Sequence, residues 1–193
     1  MMAMKRYTLL YILFAVMAAA MLPSCSENDD TVEEYPDWQA TNEAFWNSLY
    51  SSAATSIANG DDDWKIVRKW SLEDSLTVDN TNFVVAHVES RGEGTECPLY
   101  TDSVSVYYEG SLLPSASYPT GRVFDSQMPP ASRPVTFYAG GLVDGFTTAL
   151  MNMHEGDVWT VYMPCQMGYG TTGNSSIPGY SMLTFKIHLV EIK

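Results

Sequence analysis

The chain has 193 residues, 46% of them hydrophobic and 12% aromatic, which is ample apolar side chain for one packed domain with extensions. Its 10 basic and 23 acidic residues give a formal charge of -13 and an isoelectric point near 4.4. That balance opposes counterion-release binding to phosphate backbones or anionic headgroups and speaks against nucleic acid as a partner.

At the N-terminus Lys5 and Arg6 precede an uninterrupted apolar stretch from Tyr7 to Leu22, the pattern of an export signal peptide over residues 1–24. The stretch is shorter than the roughly 20 apolar residues of a spanning helix, and no stop-transfer pattern follows it. It ends in Leu22-Pro23-Ser24-Cys25, which resembles the lipobox of bacterial lipoproteins, with Cys25 as the lipidated residue. Acyl chains, at about 0.8 kcal/mol per buried methylene, would then hold at the membrane a surface that does not bind it by itself. Residues 25–37, with Glu27, Asp29, Asp30, Glu33 and Glu34, read as a lipidated acidic tether. Extended at about 3.3 Å per residue, the part from Ser26 to Asp37 reaches about 35–40 Å. An acidic run after such a cysteine is also similar to the surface-export signals of some Bacteroidetes lipoproteins. The expected location is the cell envelope, lipid-anchored in the outer membrane on its periplasmic side or at the cell surface. Of the remaining cysteines, Cys97 and Cys165, the sequence leaves open whether they form a disulfide or two separate thiols.

Residues 38–82 read as a helix and strand extension. Trp38, Phe45, Trp46, Leu49, Ala53 and Ile57 recur at spacings of three and four, the stripe of an amphipathic helix, and Asn59-Gly60 stops it. Two uses of the stripe are open: packing on the chain's own core, or self-association into a homodimer. Trp64 to Trp70 alternates and predicts a strand on the edge of the following sheet, with Ser71 to Asn82 a polar loop. From residue 83 to 193 the period changes to short β-rich runs at Phe83–Val88, Val104–Tyr108, Val135–Tyr138, Val158–Met163 and Met182–Ile192. A single helical piece, Val143–Met153, lies between the third and fourth. The predicted class is α+β: an antiparallel sheet curved around one short α-helix, preceded by the N-terminal amphipathic helix.

An ordered set of motifs runs through this last part. Gly92-Glu93-Gly94 is followed by Val104-Ser105-Val106-Tyr107-Tyr108-Glu109-Gly110 and Val123-Phe124-Asp125-Ser126. Then come Leu142-Val143-Asp144-Gly145-Phe146, Met153-His154-Glu155-Gly156, Tyr169-Gly170, Ile177-Pro178 and Leu183-Thr184-Phe185. In order and spacing this set resembles the FKBP-type peptidyl-prolyl isomerases. The resemblance implies an FKBP-like half-wrapped antiparallel sheet around the helix, with an apolar pocket between them that receives a proline ring. Phe146 matches the pocket floor, Tyr108, Phe124, Val143, Ile177 and Phe185 its sides, and Asp125 and Tyr169 its polar rim. Val135 and Phe137 are matched to the substrate rim.

The implied function is isomerisation of X-Pro bonds in exported proteins, with proline-containing polypeptides as substrates and macrolides such as tacrolimus or rapamycin as inhibitors. No cofactor is implied, and His87, His154 and His188 lack metal-ligand spacing. The backbone N–H of Val143, at the start of the helix, is the family's holder of the bound carbonyl. Three positions depart from the pattern: Phe146 stands for tryptophan, Val135 for a wall phenylalanine, and Gly179 for a second proline. The loop Ser111 to Arg122 is several residues longer than in the smallest members and is expected beside the pocket mouth. A second function class stays open, an FKBP-fold chaperone or binding module with little turnover.

Overall fold

Alternation of β-branched or aromatic residues with polar ones, broken by glycine and proline, is the sequence basis of a seven-stranded antiparallel sheet in the computed structural model, which describes residues 33–130 and 132–193. The segment expected to be a signal peptide, residues 1–24, and Cys25 lie outside the described residues. The strands are β1 (Trp64–Arg68), β2 (Phe83–Ser90), β3 (Ser103–Ser111), β4 (Val123–Gln127), β5 (Val135–Tyr138), β6 (Val158–Met163) and β7 (Leu183–Ile192). Their order is β1-β2-β6-β7-β3-β4, and β5 also pairs with β3. The long strand β3 therefore shares one edge between two partners. Its first half, Ser103 to Val106, takes β5, and its second half, Tyr108 to Ser111, takes β4.

Burial follows the alternation where one face is covered. In β6 the inward residues Trp159, Val161 and Met163 are buried, and their neighbours only partly so. In β2 the three successive residues Val84, Val85 and Ala86 are all buried, so both faces of that strand are covered. Helix α1 (Trp38–Ala58) and helix α2 (Asp144–Leu150) both pack on it. The edge strand predicted at Trp64 is β1, which pairs antiparallel with β2. The predicted loop after it holds only a 3-10 turn, Asn80–Asn82, where Asp79 accepts a hydrogen bond from the Thr81 N–H at 3.0 Å.

Helix α2 is shorter than its apolar run suggested, seven residues rather than Val143–Met153, with Met151 at its C-cap. All residues from Gly145 to Leu150 are buried, because the sheet curls around the helix. Asp144 in its first turn complements the helix dipole and pairs with Lys69 Nζ at 2.6 Å, so the end of the β1 segment is tied to the helix start. Thr147 Oγ1 donates to the Ala139 carbonyl at 2.7 Å and fixes the approach from β5. The turn at Gly92 presses against the Glu155–Gly156 turn so closely that a Cβ there would lie 1.9 Å from the Glu155 carbonyl oxygen.

Helix α1 packs on the chain's own core through Trp38, Trp46 and Ala53, with Leu49 and Tyr50 partly buried beside them. Two members of the predicted stripe are corrected: Phe45 is 42% exposed and Ile57 39%. At about 100° per residue they flank the buried arc on its two sides rather than lying within it. The helix instead buries a polar residue, Asn42, whose Nδ2 donates to the Trp38 carbonyl at 2.7 Å and whose Oδ1 accepts the Met182 N–H at 2.8 Å. Trp38 Nε1 donates to Ser181 Oγ at 2.9 Å, so the helix is bolted to the segment before β7 by polar as well as apolar contacts. Replacing Asn42 by alanine leaves the buried Met182 N–H without a partner. The expected loss is about 1–3 kcal/mol, read as a lower urea midpoint with unchanged slope. Cys97 and Cys165 are separate thiols, and burial pushes both above the usual thiol range, which makes them poor nucleophiles.

Candidate functional site

The centre of β3 is built around a missing side chain. Tyr108 and Gly110, two apart, face the same side, and Gly110 stands opposite Asp125 on β4 and Phe185 on β7. A Cβ at Gly110 would lie 2.6 Å from ring atoms of both Phe124 and Phe185, so only glycine lets these two rings close over the sheet. A register shift between Gly110 and Ser111 interrupts the alternation of β4. As a result the successive residues Phe124 and Asp125 both reach one cavity, a re-aiming that strand bulges commonly provide.

That cavity, about 630 Å³, lies between the sheet and α2. Phe146 of α2, 4% exposed, forms its floor and meets Phe185 at 5.1 Å, Tyr108 at 6.0 Å and Phe137 at 6.5 Å between ring centroids. Interplanar angles of 81–87° make all three contacts edge-to-face. Phe124 meets Phe185 in the same manner at 5.5 Å. Edge-to-face pairs add about 0.5–1.5 kcal/mol each beyond area burial, so the box is stiff as well as apolar.

The polar lining comes from Tyr108, Asp125 and Tyr169 and from the strip Asn174, Ser175 and Ser176. Tyr108 Oη donates to Asp125 Oδ2 at 2.6 Å, and Asp125 is the single charged side chain in the lining. Val143 lines the cavity at the N-cap of α2 with extended backbone, and Tyr169, 40% exposed, stands at the opening. Ile177 is buried in the loop between β6 and β7. Its N–H and that of Ser176 both donate to Asn174 Oδ1, at 2.9 and 2.8 Å, which sets the strip Asn174–Ile177 as one wall.

Burial, and then the hydrogen bond and charge of Asp125, push the Tyr108 hydroxyl well above the usual phenol range. The raised value means that Tyr108 favours the folded chain fully below pH of about 10, and that this contribution fades as pH rises through its folded pKa. At neutral pH the hydroxyl is therefore a fixed donor. An ultraviolet titration of the folded chain should show a late-ionising tyrosine whose step is lost in Tyr108→Phe. Burial also raises Tyr162, so a late step unchanged by that substitution would belong to Tyr162 alone and remove this account of Tyr108.

The structure brings nine of the ten residues singled out from the sequence into this lining: Tyr108, Phe124, Asp125, Phe137, Val143, Phe146, Tyr169, Ile177 and Phe185. Val135 is the exception; it sits on β5 against the core and outside the cavity. Phe137, expected at the rim, is a wall ring in contact with Tyr108 and Phe146. Sequence reasoning missed the strip Asn174 to Ser176, although Gly173-Asn174 ahead of Ile177-Pro178 carries ordinary turn chemistry that could have marked it. The long loop before β4 does not line this cavity. It borders a neighbouring one through Ser117, Tyr118 and Arg122.

An aromatic box whose edge carries one carboxylate, hydroxyls and an amide can enclose a small apolar ring and strip water from it. It has no nucleophile–base pair, and among the described residues no group of His, Cys, Asp or Glu is arranged to hold a metal ion. Comparison with known proteins bears on what enters. Residues 94–190 match the family model of the FKBP-type peptidyl-prolyl cis-trans isomerases. A macrophage infectivity potentiator of Trypanosoma cruzi is 38% identical over 105 residues, 54% of this chain and 50% of that protein. An FKBP-type 22 kDa peptidyl-prolyl cis-trans isomerase of Escherichia coli K12 is 37% identical over 106 residues, 54% of this chain and 48% of that one. The chain thus spans about half the length of the curated relatives it matches. In fold it is similar to a peptidyl-prolyl cis-trans isomerase crystal structure from Pseudomonas syringae pv. tomato. The TM-score is 0.55 and the identity 24%, over 79% of this chain and 96% of that one.

Proposed function

The chain belongs to the FKBP-type peptidyl-prolyl cis-trans isomerase family, and we propose that it catalyses cis-trans isomerisation of X-Pro bonds in polypeptides, in the cavity floored by Phe146. The observation that carries this reading is the closed set of aromatic contacts around that floor, beside a single hydroxyl–carboxylate pair. Rotation about a peptide bond costs roughly 18–20 kcal/mol because amide resonance is lost in the twisted geometry. A site that binds the twisted imide better than either planar isomer lowers that barrier, with no acid, base or metal required. Water stabilises the charge-separated planar amide more than the twisted one, so a dry box favours the twisted state. In this reading the proline ring rests on Phe146 between Phe185 and Phe137. The Val143 N–H holds a substrate carbonyl, Tyr169 offers its hydroxyl to the carbonyl before proline, and Asp125 with Tyr108 orients the edge.

A protease-coupled assay on the purified full chain, with peptides differing in the residue before proline, tests this directly. Turnover blocked by tacrolimus or rapamycin is expected. Absence of turnover together with tight binding of unfolded chains would favour the second reading, a binding module of the same fold. One observation supports that alternative: Val135 lies outside the lining, so Phe137 is the only β5 residue that walls the cavity.

The place of action belongs to the same proposal. A signal peptide over residues 1–24 and lipidation at Cys25 would anchor the chain in the outer membrane of the cell envelope, with exported proteins as clients. Metabolic labelling with a fatty acid, lost in Cys25→Ser, is the expected result. The homodimer reading rests on Phe45 and Ile57, exposed at the two borders of the α1 stripe; a monomer mass in light scattering would remove it.

A further inference from the structure

A second cavity, about 440 Å³, lies against the aromatic one and shares with it the strip Asn174, Ser175, Ser176 and Ile177. Its other walls come from outside the β-strands and α2. Glu34 and Tyr35 precede α1, and Ser117, Tyr118 and Arg122 belong to the loop between β3 and β4. These pieces are fixed to one another before anything binds. Glu34 accepts hydrogen bonds from Ser115 Oγ and from the Ser117 N–H, the latter at 3.1 Å. Arg122 Nη2 donates to the Ser176 carbonyl, which ties the loop to the shared strip. The Tyr35 ring rests on Trp38 at 4.6 Å, and Trp38 is in turn held by Ser181. The charges that line the cavity are thus already committed to protein partners, whereas Tyr118, also in the lining, is 42% exposed.

We propose that this cavity is a second subsite of the substrate groove, one that takes an aromatic or large apolar side chain of the polypeptide, against Tyr118, a few residues from the X-Pro bond. The proposal rests on the isomerase reading above and extends it from the bond to its sequence context. An extended chain advances about 3.3 Å per residue, so a client crossing the four-residue strip reaches the second cavity within about four residues of its proline. Preorganisation matters because a binding surface that needs no ordering gives back less of its contact energy.

The test uses the full chain and three labelled peptides with the same X-Pro core: a short one, a longer one with phenylalanine in its flanks, and the same longer one with glycine there. Fluorescence anisotropy gives affinity and the protease-coupled assay gives KM and kcat. On the unaltered chain the phenylalanine peptide should bind about three- to tenfold tighter than the glycine peptide, as one aromatic pair provides, with similar kcat. Tyr118→Ala, at an exposed loop tip, should erase that difference and leave turnover of the short peptide unchanged. Equal affinity of the two longer peptides, or a preference that survives Tyr118→Ala, would overturn the subsite. If the short peptide binds but is not turned over, the isomerase reading fails, and the anisotropy comparison still decides the subsite.

Discussion

Phe146→Ala should destabilise the chain by about 3 kcal/mol, the lower end of the roughly 3–5 kcal/mol seen for truncating a buried phenylalanine, and should remove most isomerase activity. The lower end is expected because the void would open into the existing cavity rather than remain sealed in the core. Activity falls for a separate reason. Phe146 is the shared partner of three edge-to-face contacts, with Phe185, Tyr108 and Phe137, so its loss removes both the floor and the element that sets the angle of the walls. The two effects are separated by Phe146→Leu, which keeps most of the volume and should cost less than about 1.5 kcal/mol. If the floor ring is part of the site, the leucine variant stays folded at the assay temperature and still loses about tenfold or more in kcat/KM, equivalent to about 1.4 kcal/mol of transition-state binding. A leucine variant with full activity would show that Phe146 serves packing alone.

What the sequence made legible was set by period and order. Strands β2, β3, β5, β6 and β7 alternate or run apolar between glycines and prolines, and each is found within a residue or a few of where those signals put it. The FKBP-type motifs then brought residues as far apart as Tyr108 and Phe185 into one cavity, which periodicity by itself could not do. Strand β4 was legible only as a motif, because Val-Phe-Asp-Ser-Gln has its two apolar residues adjacent. A bulge at its pairing with β3 is the reason that such a non-alternating strand works. Val135 was given a rim role by resemblance, and register does not exclude it, since its partner Val106 lies between Tyr108 and Val104, the partner of Phe137; it packs on the core outside the lining, while the larger Phe137 ring two residues on walls the cavity. In α1 hydrophobic spacing over-counted the buried face, since Phe45 and Ile57 satisfy the spacing rule yet sit at its borders. Nothing in composition announces that Asn42 is buried, because its burial is licensed by two partners, one of them the Met182 N–H far along the chain. The contact of Glu34 with Ser115 and Ser117 is of the same long-range kind, and it converts what read as the end of a tether into part of a cavity wall.

Gly110→Ala should inactivate the site with only modest damage to the fold, which makes it the sharper probe of geometry. The added methyl would stand 2.6 Å from ring atoms of Phe124 and of Phe185, well inside van der Waals contact. Phe185 is 5% exposed and held by Phe146, so it has little room to yield; Phe124, only partly buried on the edge strand β4, must turn outward. Overpacking of this kind typically costs about 1–3 kcal/mol, small enough for the chain to remain folded. The displaced ring, however, removes a wall and carries its neighbour Asp125 with it, so the hydrogen bond from Tyr108 should lengthen. The expected outcome is a loss of about tenfold or more in kcat/KM and a matching loss of macrolide affinity, with a cooperative urea transition retained. Combining Gly110→Ala with Phe124→Leu relieves the clash, so the stability costs should be less than additive by about 0.5 kcal/mol or more, as expected for residues in contact. Additive costs, or a Gly110→Ala variant with unchanged turnover, would mean that the ring closure over Gly110 is not what shapes the site.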